Sequence, residues 1–167
     1  HSTGDGIISA LQVLHALRLD GGQSVEVDGA TKPLRDWLTT GRELTRLTRP
    51  FLAQQAERSG DARLAEMLQP GHEAALRSTL KDLQLVDVLR RYPAEWEPAQ
   101  LVAALRPLAP RLYSIASSQE TVGEEAHLTV AVVEYRHDGQ RRLGAASTHL
   151  AALAGQDARA RVFVEQN

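Results

Sequence analysis

The 167-residue chain is long enough to bury one sizeable core or two small ones. Its 19 Lys and Arg residues nearly balance its 21 Asp and Glu residues, and a formal net charge of −2 argues against nucleic acid or an anionic membrane surface as a partner. Cysteine is absent, which excludes disulfides, iron–sulfur clusters and thiolate-ligated zinc and is typical of a reducing, cytoplasmic setting.

The chain shows no sign of a membrane anchor or a signal peptide. No apolar run approaches the roughly 20 residues that span a bilayer, and the opening HSTGDG lacks a basic and a hydrophobic region. Because the sequence starts without Met and directly on helix-capping residues, we expect it to be a piece of a longer protein.

The first part of the chain has the apolar spacing of helices. Residues 2–19 are predicted to form a helix that the pair Gly21-Gly22 stops. The alternating stretch SVEV predicts a short strand, which ends at a turn and leads into a helix capped by Thr31.

Further helices are predicted before residue 106. Thr48 and Asp61 have the side chains and spacing of N-caps for two successive helices. The longest helix is predicted over residues 72–91, with Pro93 as its end, and another over residues 98–105.

After Pro107 the apolar period changes from about 3.6 to about 2, which indicates strands. The segments LYSIAS, HLTVAVVEY and RVFVE, which begin at residues 112, 127 and 161, are rich in Val, Ile and Tyr. The pair Asp138-Gly139 predicts a turn, and Ser147 is predicted to cap a short helix. Three strands close neither a sheet nor a barrel, which again favours a piece of a longer protein.

Common catalytic and metal-binding motifs are missing. The six histidines are scattered without metal-binding spacing, and the sequence holds no GxSxG elbow, Walker loop or GxGxxG loop. A metal site and hydrolysis are therefore disfavoured. A phosphate site would have to be built from strand side chains and irregular backbone.

The octapeptide RLYSIASS, residues 111–118, is polar where a buried strand would be apolar. In a strand Arg111 and Tyr113 share one face, roughly 7 Å apart, because side chains alternate. A guanidinium offers a planar fork to phosphate oxygens, and a phenol ring offers a flat apolar surface. The pair is suited to a nucleotide cofactor.

Three motifs in order carry a family resemblance: RPLAPRLYSIASSQ at residues 106–119, LTVAVVEY at 128–135 and GAAST at 144–148. They resemble the FAD-binding region of the diflavin branch of the ferredoxin–NADP reductase superfamily, and in particular its sulfite-reducing members. The resemblance covers nearly the whole chain and implies an α+β fold. Residues 1–106 would be a helical connecting domain, and residues 107–167 the C-terminal half of an antiparallel FAD-binding β-barrel.

The resemblance also implies cofactor contacts. Arg111 would neutralise the FAD pyrophosphate, Tyr113 would stack on the isoalloxazine ring, and Ser114 would hydrogen-bond near its redox-active centre. The implied cofactor-binding residues are Arg111, Leu112, Tyr113, Ser114, Thr129, Val130, Ala131, Tyr135, Gly144, Ala145, Ala146 and Ser147, with Thr45 and Lys81 from the helical part.

The segment at 129–131 would lie along the adenosine half of FAD, while the amides and hydroxyl of the turn at 144–147 would hold the pyrophosphate. Two positions depart from the family pattern, because Ala131 and Ala145 stand where glycine is common. A methyl group at residue 131 would loosen a close backbone approach to the cofactor.

The function implied is that of the FAD-binding part of an NADPH-dependent oxidoreductase, which passes electrons from NADPH through FAD to FMN and on to a hemoprotein partner. FMN and NADPH would bind to other domains of the same parent chain, and this piece alone would be inactive. Two alternatives stay open. One is another diflavin reductase, of the cytochrome reductase or nitric-oxide-synthase type; the other is a non-catalytic helical interaction module with a degenerate barrel.

Overall fold

A computed structural model describes residues 4–137, 139–153, 159–160 and 162–164 of the chain. The chain mixes helices with short antiparallel strands and divides into two compact units between Ala109 and Pro110. We call them the N-terminal unit and the C-terminal unit. None of the helices in the described ranges is both long enough and apolar enough to cross a membrane.

The N-terminal unit is mainly helical. Its elements are α1 (Gly4–Leu17), β1 (Ser24–Val27), β2 (Ala30–Pro33), α2 (Leu34–Asp36), a π-helical turn (Trp37–Gly41), α3 (Arg49–Ser59), α4 (Ala62–Met67), α5 (Glu73–Asp82), α6 (Leu85–Arg91) and α7 (Pro98–Ala104). Strands β1 and β2 form an antiparallel hairpin. The two turn residues, Asp28 and Gly29, both have positive φ, as a tight hairpin turn requires.

Two helix starts agree with the sequence prediction. The Thr48 hydroxyl accepts a hydrogen bond from the Phe51 amide at 3.2 Å and caps α3. The Asp61 carboxylate accepts one from the Leu64 amide at 2.9 Å and caps α4. Both predicted caps are confirmed, because each side chain satisfies an amide that has no partner within its helix.

The long helix predicted over residues 72–91 is wrong, since α5 and α6 are separate helices. Leu83 and Gln84 between them are extended. The Gln84 amide donates to the Asp87 carboxylate at 2.9 Å, and the Leu85 amide donates to the Leu44 carbonyl at 3.3 Å. The apolar spacing continues through residues 83 and 84, but a local cap and a tertiary hydrogen bond end one helix there and start another.

The apolar core lies in the N-terminal unit. Every buried apolar residue in the described part of the chain falls between Ala10 and Leu105. The rings of Phe51 and Trp96 stack with centroids 5.4 Å apart, and the Trp96 indole donates to the buried Gln55 side chain at 2.8 Å. Large apolar side chains in such a core each contribute about 1.5 to 3 kcal/mol by leaving water.

The C-terminal unit holds α8 (Gln119–Val122), β3 (Glu134–His137), β4 (Gln140–Leu143) and α9 (Ala145–Leu153). Strands β3 and β4 form an antiparallel hairpin whose turn includes Gly139 at φ +73°, as the sequence predicts; Asp138 lies outside the described residues. Helix α9 starts before Ser147, so the prediction that Ser147 caps a short helix is wrong.

The strands predicted over residues 112–117 and 127–135 meet at one bridge, between Ile115 and Leu128. Strand geometry with a continuous partner begins only at Glu134, where β4 lies alongside. A ladder needs a partner at every step, and the described residues supply one only at the bridge and in the hairpin. Of the third predicted strand, residues 161 and 165 lie outside the described residues, and residues 162–164 are exposed and belong to no strand.

Candidate cofactor-binding site

Three of the segments predicted to bind a cofactor are linked by backbone contacts within the C-terminal unit: the first contacts the second, and the strand that continues the second contacts the third. The bridge between Ile115 and Leu128 is antiparallel, so residues 111–114 lie on the same side of it as residues 129–131. The Ala116 amide donates to the His127 carbonyl at 2.8 Å on the other side. The first two predicted segments are therefore neighbours.

The third segment, the turn at residues 144–147, is attached to Val133. The Gly144 amide donates to the Val133 carbonyl at 2.8 Å, and the Val133 amide donates to the Ser147 hydroxyl at 3.1 Å. The turn thus binds both backbone groups of one residue, five positions after Leu128.

Gly144 is required at its position by lack of space. A Cβ atom there would lie 2.8 Å from the Ser147 hydroxyl oxygen and 2.8 Å from the Val133 Cβ. A Cβ atom essentially never lies so close to another heavy atom. The turn therefore approaches Val133 closely only because residue 144 has no side chain.

The residues of the first two segments are mostly open to solvent. Arg111, Leu112 and Ser114 are exposed, and Tyr113 is half-buried. In the second segment Thr129 and Ala131 are exposed and Val130 is half-buried. A basic group, an aromatic ring and hydroxyls are therefore at least partly accessible to solvent in these two segments.

Tyr135 lies apart from the bridge, in β3. It is exposed and paired in register with Arg142 of β4. The preceding Val132 and Val133 are also exposed in the structure.

Helix α9 begins immediately after Gly144, so its first amides belong to Ala145, Ala146 and Ser147. These amides have no partner within the helix and carry the positive end of its dipole, which suits an anion. Next to them the hydroxyl oxygen of Thr148 is buried and has no hydrogen-bond partner in the described part of the chain. The unpaired amides at the start of α9 fit a dianionic pyrophosphate.

Thr45 and Lys81 belong to the N-terminal unit. The backbone amide and the hydroxyl of Thr45 both donate to the buried Glu43 carboxylate, the first at 2.9 Å. Lys81 is exposed in the last turn of α5. Both residues thus lie in the other unit from the remaining predicted contacts.

The sequence reasoning did not anticipate two contacts near these segments. The Ser117 hydroxyl accepts a hydrogen bond from the His127 amide at 3.0 Å, next to the bridge. The Arg141 guanidinium forms a two-pronged ion pair with Glu134 at 2.8 Å, and this hydrogen bond lowers the pKa of the Glu134 carboxyl. The opposite charges of residues 134 and 141 flanking the Asp138-Gly139 turn were the available signal.

The comparisons with known proteins point to one family. The model of the family described as "FAD binding domain" matches residues 39–149. The chain is 44% identical over 161 residues to a sulfite reductase [NADPH] flavoprotein alpha-component of Vibrio cholerae. Proteins of the same name are 42% identical in Serratia proteamaculans and 39% identical in Neisseria meningitidis, each over 156 residues.

These matches cover 93 to 96% of the chain, and the chain spans 26% of the length of each of these relatives. The resemblance drawn from the three motifs is thereby confirmed. FAD, the cofactor expected from them, is the one after which the matching family is described. Because that family matches more than half of the chain, the chain belongs to the FAD binding domain family.

Proposed function

We propose that the chain is the FAD-holding part of an NADPH-dependent diflavin reductase, namely a sulfite reductase flavoprotein. The names of its relatives and the order of its three motifs support this proposal. Residues 1–106 would be the helical connecting domain, and residues 107–167 the C-terminal half of an antiparallel FAD-binding barrel. The single observation that carries the proposal is the contact-linked series of exposed segments in the C-terminal unit.

Most of the predicted residues have a stated role in this proposal. Arg111 neutralises phosphate charge, Tyr113 offers its ring to the isoalloxazine, and Ser114 hydrogen-bonds beside it. The backbone at 129–131 lies along the adenosine half, and the amides at 144–147 hold the pyrophosphate. Tyr135, Thr45 and Lys81 supply further contacts.

In the complete reductase FAD would accept a hydride from NADPH and release single electrons toward FMN and the sulfite reductase hemoprotein. The protein orients the reacting groups and sets their electrostatic surroundings. The partners of this chain would be the FMN domain and the NADPH domain of the same parent chain and, beyond them, the hemoprotein.

A flavin titration of the complete gene product, stripped of its cofactor, tests the proposal. We expect saturable FAD binding, followed by flavin fluorescence and visible absorbance. Arg111→Ala and Tyr113→Ala should each weaken it by about tenfold or more, because a charge-assisted contact and a ring-stacking surface are lost. Arg63→Ala removes an exposed cation of α4 and serves as the matched control, with unchanged affinity.

The same protein separates the alternatives. A degenerate barrel would bind no FAD, and the Arg111 variant would then behave like the Arg63 variant. A cytochrome reductase would reduce cytochrome c with NADPH but not the purified sulfite reductase hemoprotein. The proposal predicts reduction of that hemoprotein.

A further inference from the structure

We propose that Ser117 is a positioning residue of the cofactor site, which fixes the register between the segments at residues 111–114 and 129–131. Its hydroxyl holds the backbone amide of His127 at the end of the pairing between these segments. This bond keeps the cofactor contacts of the first segment on the face that meets the ligand. The identity of that ligand rests on the proposed function.

The pairing pattern shows what the Ser117 hydroxyl does. Ile115 and Leu128 form an antiparallel bridge, and the Ala116 amide donates to the His127 carbonyl at 2.8 Å. In a regular antiparallel ladder the two residues of such a hydrogen-bonded pair exchange both bonds, so the His127 amide would donate to the Ala116 carbonyl. It donates instead to the Ser117 hydroxyl oxygen, at 3.0 Å. A side chain thus takes the place of a backbone acceptor.

The pairing of the two segments ends at this bond. Helix α8 begins at Gln119, so the chain leaves the strand direction within two residues of Ser117. A backbone amide at such an end needs another acceptor, and the half-buried serine supplies one. The pairing therefore stops at a fixed residue.

The register of this pairing decides which side chains meet a ligand. Extended outward from the bridge, it aligns Tyr113 with Val130. Because side chains alternate along a strand, a slip by one residue would turn Arg111 and Tyr113 to the opposite face. A guanidinium and a phenol ring would then be lost from the site together.

Few other contacts in the described residues set this register. The two segments share one bridge, whose residues Ile115 and Leu128 are 55% and 45% exposed. The continuous pairing of β3 with β4 starts only at Glu134. Register is weakly specified where no face of the strands is buried, so the hydrogen bond at the end of the pairing carries more of it.

The next residue, Ser118, provides a matched control. It has the same side chain, is exposed, and makes no side-chain hydrogen bond that caps α8. Ser118→Ala therefore removes a hydroxyl from the same stretch of chain and leaves the acceptor of the His127 amide in place.

Amide hydrogen exchange on the complete, flavin-free protein tests the bond without the cofactor. In Ser117→Ala the His127 amide should exchange about tenfold faster, because its acceptor is gone. Ser117→Thr, which keeps the hydroxyl, and Ser118→Ala should leave the rate close to that of the unmodified protein. Unchanged His127 exchange in Ser117→Ala would overturn the proposal. An equal rise at the Leu64 amide of α4 would overturn it too, since the whole fold would then have loosened.

FAD titration of the same proteins, with FAD as the one flavin added, tests the link to the site. Ser117→Ala should weaken FAD binding by about tenfold, and Ser117→Thr should restore it. The FAD still bound to Ser117→Ala should also be more fluorescent, because the Tyr113 ring that quenches the flavin by stacking is displaced. Ser118→Ala should change neither quantity.

Two results separate this proposal from the proposed function. If Ser117→Ala frees the His127 amide but leaves the affinity and the fluorescence of bound FAD unchanged, the register does not serve the site and the proposal is wrong. If the unmodified protein binds no FAD, the proposed function fails, and the exchange result still decides whether Ser117 holds the end of the pairing.

Discussion

The two units treat their apolar residues in opposite ways. In the N-terminal unit leucines such as Leu52 and Leu64 are fully buried, whereas in the C-terminal unit Leu112 is 69% exposed and Ile115 and Val132 are also open to solvent. The side-chain chemistry is the same. Burial requires a complementary apolar face, and amphipathic helices that follow each other along the chain supply one to each other.

The strand segments of the C-terminal unit have a bridge and a hairpin but no second layer within the described residues. Most of the residues predicted to hold FAD, those at 111–114 and 129–135, therefore stand on the least packed part of the chain. Such exposed apolar and aromatic surface is typical of sites that are completed by a ligand or by other segments.

The largest expected effect tests the packing side of this comparison. Leu52→Ala should lower the free energy of unfolding by about 2 to 5 kcal/mol, because the side chain is fully buried and its removal leaves a cavity. Leu112→Ala, the matched change at an exposed leucine, should change it by less than about 0.5 kcal/mol. Urea denaturation of the chain measures both, and equal losses would contradict the contrast between the units.

A smaller effect is expected for the buried polar contact of the core. Gln55 is completely buried, accepts the Trp96 indole hydrogen and donates to the Tyr92 carbonyl. Gln55→Leu leaves both partners unsatisfied, but burial of the leucine side chain offsets part of this cost, so the net loss should be about 1 to 3 kcal/mol. Gln100→Leu, at an exposed glutamine that accepts from Arg58, is the control and should be nearly neutral by the same denaturation measurement. A neutral Gln55→Leu would show that this contact does not stabilise the core.

The smallest effect sharpens the comparison through two exposed carboxylates. The pKa of Glu134 in the C-terminal unit lies below 4.5 chiefly because of the Arg141 hydrogen bond, and the pKa of Glu73 in the N-terminal unit is lowered chiefly by the Gly71 amide. Since each folded-state pKa is depressed, the stabilising contribution is present above pH 4.5 and is lost as the pH falls through the lowered value.

Arg141→Gln should raise the pKa of Glu134 toward 4.5 and leave that of Glu73 unchanged, because only the first depends on this cation. Carboxyl-carbon NMR titration measures both groups in one sample. A Glu134 pKa that does not respond would show that the ion pair is not formed in solution.

Local chemistry predicted part of the fold. The helix starts at Thr48 and Asp61 could be predicted because a capping side chain accepts from an amide only three residues further along the chain. The interruption between α5 and α6 was not predictable in this way, since the Leu85 amide is held by Leu44, far away along the chain.

In the candidate site too, features set by local sequence were predictable and features set by contacts between distant residues were not. The motifs selected the residue types and their order, and the turn between β3 and β4 followed from the Asp138-Gly139 pair. The attachment of Ser147 to Val133 depends on distances of 3 Å or so between segments that have no local signal. Sequence reasoning therefore assigned the Ser147 hydroxyl to the ligand and did not anticipate its contacts with the protein backbone.

A hydrogen-exchange footprint of the complete gene product, with and without FAD, tests the central claim that the exposed segments of the C-terminal unit hold the cofactor. The account predicts new protection at residues 111–116, 128–133 and 144–148, and unchanged exchange in α4, whose cap and packing are already formed within the N-terminal unit. FAD binding that leaves all three segments unprotected would contradict it.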